Sequence, residues 1–149
     1  MSSHDAQVQE IEVLYHFASS IGHAGSSIAS AATHLAGAAY QERGEFRSLL
    51  DRIESNLETA QREYSEALSE WEEDENVYTE QALYEARERL NEAQENYEEG
   101  LTIYQLVDPL LTNIISLSDA FSQSIMSQVD RAGDNVRLAA SRLQEYLNH

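Results

Sequence analysis

The chain contains no cysteine, no lysine, one proline and six glycines in 149 residues. Without thiols there is neither a disulfide framework nor a thiolate metal site, and redox compartment leaves no mark. Helix breakers this scarce, beside abundant Glu and Ala, put the chain in the all-α class. Positive charge is short as well: nine arginines stand against 27 acids, for a formal net charge of -18. Such a surface opposes binding to nucleic acid or to an anionic membrane, both of which require positive charge. No basic stretch followed by an apolar core opens the sequence, so no cleaved leader is expected and the protein is read as cytoplasmic when made. Phosphate loops, nucleophile elbows and the Glu-x-x-His spacing of di-iron bundles are also missing. With carboxylates spread over outer faces and no pocket to shift their pKa, no catalytic, cofactor-binding or metal residues are expected.

What is present is an acidic helical hairpin over 42–108. Its first arm spaces Phe46, Leu50, Ile53, Leu57, Ala60, Tyr64, Ala67 and Trp71 by fours and threes, the seam of a coiled coil. The second arm does the same with Leu83, Ala86, Leu90, Ala93, Tyr97, Gly100, Tyr104 and Val107. Between them, Glu72, Glu73, Asp74 and Glu75 oppose the negative end of a helix dipole, so the chain should turn near 72–76. Asn76 or Thr79 can cap the returning helix. An antiparallel fold about residue 75 sets Trp71 beside Tyr78 and Ile53 beside Tyr97. The hairpin holds 20 acids and six arginines, hence most of the negative charge. Glu58 with Arg62 and Glu85 with Arg89 have favourable i,i+4 spacing, whereas Glu66/Glu70 and Glu95/Glu99 are like pairs.

Residues 13–41 include no Asp, Glu, Lys or Arg. Within them Leu14, Ile21, Ile28 and Leu35 recur every seven positions, with Phe17, Ala24, Ala31 and Ala38 three later. Alanine at alternate seam positions, near Gly22, Gly25 and Gly37, lets another helix approach closely. The stretch is long enough for a bilayer, but its histidines and serines suit a buried bundle helix better than a membrane span. His16 and His23 lie about 10 Å apart along a helix, too far to share one metal ion. Ser2, Ser3 and Asp5 are available as N-terminal caps. The joint at Gly44 is open to three readings: a helix running through, a bend, or a short turn. At Asp108-Pro109 an N-cap followed by proline predicts a new helix from Leu110, with a kink in one continuous helix as the alternative.

The last helix, in 109–147, repeats the spacing through Leu111, Ile114, Phe121, Ile125, Val129 and Val136. In the same fold about residue 75, Leu14 meets Val136, Ile21 meets Val129, Ala24 meets Ile125 and Leu35 meets Ile114. The expectation is one all-helical domain over 1–149: a small-residue helix (6–41), the acidic hairpin and the closing helix. They form a long antiparallel helical hairpin, or are folded or assembled into a four-helix bundle. A stem so poor in charge invites self-association or a helical partner. Its candidate interface is Leu14, Phe17, Ile21, Ala24, Ile28, Ala31 and Leu35 with Leu111, Ile114, Phe121 and Ile125. A different class of function would use the acidic tip, Glu66, Glu70, Glu72, Glu73, Asp74 and Glu75, to inhibit a basic enzyme or mimic DNA.

The Ala-, Ser- and Gly-rich first helix, the hairpin arms LLDRIESNLETAQREY (49–64) and ALYEARERLNEAQENY (82–97), and the ending RLQEYLNH (142–149) give the chain a familiar form. It resembles the small leaderless helical-hairpin proteins of the WXG type and the related LXG partners of polymorphic toxins, made beside type VII-like export systems. Trp71 is followed by Glu72 and Glu73 where that family carries Trp-x-Gly. Tyr104 to Asp108 and Tyr84 to Glu88 match its Tyr-x-x-x-acid export signal, at internal positions. The resemblance implies a bacterial targeting factor or chaperone of a larger secreted effector, bound stoichiometrically and open to leaderless export.

Overall fold

The computed structural model describes residues 3–148 and consists of two α-helices, α1 (Ser3–Glu73) and α2 (Val77–Leu147), packed against each other as an antiparallel hairpin. The expected caps Ser2 and the Ser3 side chain lie outside what is described, while Asp5 sits in the first turn of α1. Neither joint interrupts a helix. α1 runs through Gly44, and α2 runs through Pro109, so the helix start expected at Leu110 is corrected. Proline costs α2 the bond its nitrogen would make to the Gln105 carbonyl. Asp108, instead of capping, reaches across to Arg43.

The turn is closed by its own side chains. The Asp74 amide donates to the Glu70 carbonyl, completing α1. Asn76 caps α2, its Oδ1 accepting from the amides of Tyr78 at 2.9 Å and Thr79 at 3.1 Å. Thr79 reciprocates: its hydroxyl accepts from the Asn76 amide and lies 2.6 Å from the Asp74 carbonyl, to which it donates. Three amides at the helix start, those of Asn76, Tyr78 and Thr79, are thereby satisfied. Both residues named as alternative caps thus take part in the same turn.

The chain packs as two compact units, Met1–Ala38 with Ile114–His149 (the terminal unit) and Ala39–Asn113 (the turn unit). In the turn unit, the sixteen stripe positions named above are all half-buried or buried. Leu50 and Ile53 close on Gly100, where an added Cβ would stand 3.7 and 3.2 Å from their Cδ1 atoms. The seam is narrow and no large side chain in it is fully enclosed. Tyr78, expected beside Trp71, is exposed. Arg89 bonds Glu63 of the opposite helix at 3.3 Å rather than Glu85, its i,i+4 neighbour.

The terminal unit is built differently. Its inward positions on α1 are Ile11, Leu14, Ala18, Ile21, Gly25, Ala29, Ala32 and Ala36. Two consecutive steps of four, Ile21 to Gly25 to Ala29, replace the alternation of four and three. A strict seven-residue repeat drifts about 20° per heptad around a straight helix, and a doubled four turns it back. The seam therefore leaves the heptad of Leu14 and Ile21 and continues one residue beyond Ala24, Ile28, Ala31 and Leu35. On α2 another doubled four, Val107 to Leu111 to Ile115, brackets Pro109 and moves the inward set to Ile115, Ser118, Ser122, Ile125, Val129, Val136 and Ala140. Val129, expected opposite Ile21, seats on Gly25 one turn farther along α1, where an added Cβ would come within 2.7 Å of its Cγ1 and 2.9 Å of its Cβ.

Small side chains bring the backbones of the terminal unit together. Ser122 Oγ donates across the seam to the Ala29 carbonyl at 3.2 Å and lies 3.4 Å from Thr33 Oγ1. A hydroxyl on so short an arm reaches a neighbouring main chain only when the helices are close. At the next crossing, a Cβ on Gly133 would stand 4.0 Å from the Ala18 carbonyl oxygen.

Candidate interaction surface

From Gly25 onward the α1 side of the seam is made of Gly25, Ala29, Ala32 and Ala36, with Ser118 and Ser122 from α2, and several larger apolar side chains of the terminal unit stand outside it. Phe17, Ala24, Ile28, Ala31 and Leu35 each precede an inward residue by one position and are exposed. Ile114, Leu117 and Phe121 precede Ile115, Ser118 and Ser122 in the same way and are exposed too. Both helices are right-handed and run in opposite directions, so the position before a seam residue turns to the same side on each. The Thr33–Ser122 contact fixes the level. Ile28, Ala31 and Leu35 thus share one flank with Leu117 and Phe121. Phe17 is 55% exposed, Leu35 56% and Leu117 71%, with no charged residue in 13–41 and only Asp119 in 109–129.

The eleven residues expected at an interface accordingly divide. Leu14, Ile21 and Ile125 of the terminal unit, and Leu111 of the turn unit, are half-buried inward positions. Phe17, Ala24, Ile28, Ala31, Leu35, Ile114 and Phe121 are exposed. Leu117 went unnoticed in the sequence, though its place three after Ile114 and four before Phe121 continues the stripe.

The turn unit carries a groove of about 610 Å³ on the flank of its own seam. Its floor is Leu50, Ile53, Ala60, Ala93 and Gly100, and its exposed apolar walls are Leu49 and Ile103. Glu63, Glu92 and Glu99 stand along it with Asn56 and Asn96, and its one arginine, Arg89, is held by Glu63. The absent side chain of Gly100 and the short ones of Ala60 and Ala93 hollow it out.

At the turn, Glu66, Glu70, Glu72, Glu73, Asp74 and Glu75 are all exposed. Among the described residues none of the six is in an ion pair, and Asp74 accepts from the Asn76 side-chain amide at 2.8 Å. Farther along the turn unit, Arg43 Nε donates to Asp108 Oδ1 at 2.6 Å. That bond, supported by the Tyr104 hydroxyl and by the charge of Arg47, holds the Asp108 carboxyl below the usual aspartate range against the opposing pull of desolvation. The same pairing raises Arg43.

No family model, curated protein or solved structure matches the chain. Among the described residues no group of His, Asp and Glu is arranged to hold a metal ion, and no helix is long and apolar enough to cross a membrane. His16, His23 and His34 are all exposed, and the His34 ring lies 2.9 Å from the Ser30 carbonyl of its own helix.

Proposed function

We propose that the protein is a non-enzymatic helical interaction module whose terminal unit grips another helical surface, either a second copy or a larger protein. The observation that carries this reading is in the terminal unit, where Gly25, Ala29, Ala32, Ala36, Ser118 and Ser122 take seam positions while the larger Phe17, Ile28, Leu35, Leu117 and Phe121 are exposed outside it. Contiguous apolar surface of this kind is costly in water and is characteristic of a face that another protein covers. The likeness to WXG- and LXG-type hairpins supplies the class of partner: a secreted effector or toxin for which the chain acts as chaperone or targeting factor.

Light scattering on the purified protein tests the reading, against a monomer mass of 16.8 kDa. A defined oligomer that becomes monomeric in Ile28→Glu/Phe121→Glu, with helicity kept, identifies the face as self-associating. If the wild type is monomeric, the same variant must lose binding to the effector made beside it. An assembly indifferent to both substitutions would falsify the proposal.

A second reading rests on the six exposed acids of the turn. An acidic inhibitor, immunity protein or DNA mimic would present this end to a basic site. Its binding would weaken steeply with salt and on neutralising Glu66, Glu70, Glu72 and Glu73. Persistence in high salt counts against it.

A further inference from the structure

We infer that the groove of the turn unit is a second docking site, and that its occupant is a basic amphipathic helix of another protein. This inference stands apart from the proposed role of the terminal unit and uses none of its residues. The groove follows α1 from Phe46 to Glu63, about 26 Å at the helical rise. That is the length of roughly five helical turns and far exceeds a small ligand. Its floor is apolar, and Leu49 and Ile103 are about half exposed at its walls. A third helix laid between α1 and α2 would cover both, with apolar side chains filling the hollow over Gly100.

Charge decides whose helix this is. With Arg89 engaged by Glu63, the remaining rim charges are Glu92 and Glu99. They lie seven residues apart on one side of α2, about 10 Å along the axis. A docking helix with lysine or arginine at the same seven-residue spacing pairs with both. This chain does not carry that pattern: it has no lysine, and no two of its nine arginines are seven residues apart. Two copies meeting groove to groove would bring like charges together.

The test uses the full chain and a labelled synthetic peptide of about 20 residues, with leucines at the a and d positions and two lysines seven apart on each flank. Fluorescence anisotropy gives its affinity, and a peptide of identical composition in scrambled order reports charge attraction alone. The expected result is saturable one-to-one binding, at least about tenfold tighter than the scrambled peptide. Leu49→Gln/Ile103→Gln should weaken it by about tenfold or more, and Glu92→Gln/Glu99→Gln by several-fold. Glu70→Gln/Glu72→Gln, outside the groove, should change it less than about twofold. Circular dichroism establishes that each variant remains helical. Equal binding of the scrambled peptide, indifference to the Leu49/Ile103 substitutions, or an equal loss at Glu70/Glu72 overturns the inference. So does a fall in oligomer mass on substituting Leu49 and Ile103 with peptide affinity unchanged, which would assign the groove to a second copy.

Discussion

The two units use the same pair of helices in opposite ways. In the turn unit the apolar stripe faces inward, and the position before a seam residue is mostly polar or charged, as at Asn56, Glu63, Arg89, Glu92 and Glu99, with Leu49, Ile103 and Leu106 as exposed apolar exceptions. In the terminal unit the small residues Ala18, Gly25, Ala29, Ala32 and Ala36 share the inward positions with Leu14, Ile21, Ile125 and Val129, and the flanking position holds Phe17, Ile28, Leu35, Leu117 and Phe121. Regular apolar spacing therefore marks the internal seam only where charge marks the outside. Where charge is absent, small residues can claim the seam, because they allow closer backbones and bonds such as Ser122 to the Ala29 carbonyl. The large residues then lie outside the seam and exposed.

Gly25→Val should give the largest effect on the fold. Its side chain would overlap Val129, so the helices must part, at a cost of about 3 kcal/mol by urea unfolding. Tolerance of this change would mean that close approach is not what holds the terminal unit. A matched pair of substitutions sharpens the contrast. Ile53→Ala, half-buried in the turn unit, should lose about 1–2 kcal/mol. Ile28→Ala, exposed in the terminal unit, should cost the monomer less than about 0.5 kcal/mol while weakening assembly. Equal losses at low protein concentration would erase the distinction. Asn76→Ala removes the cap that starts α2 and should cost about 1 kcal/mol, with amide exchange rising first around Tyr78 and Thr79. Uniform exchange protection there would show that the cap matters little.

The smallest effect is expected at Arg43. Because the folded Asp108 carboxyl is depressed, its contribution is complete above the ordinary aspartate pKa and disappears as pH falls through the lowered value. Arg43→Gln should move the Asp108 titration midpoint upward, as followed by NMR of the side-chain carboxyl. An unmoved midpoint would show that the pair is not maintained in solution.

The turn unit was largely legible in the sequence, because its charged flanks leave one reading for Phe46 to Trp71 and Leu83 to Val107. The turn was legible as well, down to Asn76 and Thr79, since four successive acids disfavour further helix. The terminal unit was misread from Ala24 onward. Leu14 and Ile21 are inward, and extending their heptad leads to Ile28 and Leu35, which are not. The doubled four at Gly25 breaks the repeat, and only the run of small residues at Gly25, Ala29, Ala32 and Ala36 betrays it. Pro109 misled because the local rule for proline ignores packing: Val107 and Leu111 on either side of it are both seated inward, and α2 continues. The groove depends on Gly100 facing Leu50 and Ile53, a juxtaposition that neither arm discloses alone.

The turn capped by Asn76 and Thr79 also sets an order of events in time. Loop closure costs more entropy as the closed segment lengthens. The Glu63–Arg89 pair closes a shorter loop than Arg43–Asp108, 65 residues apart, which in turn closes a shorter one than Ala29 and Ser122, 93 apart. By closure entropy alone, contacts nearest the turn cost least to form and the terminal seam costs most. On a ribosome, the stretch around Phe17, Ile28 and Leu35 emerges early and waits for residues beyond 114 before α2 can close on it. That interval is when the nascent chain is most exposed to aggregation, and also when a partner made alongside it would find α1 most open to capture.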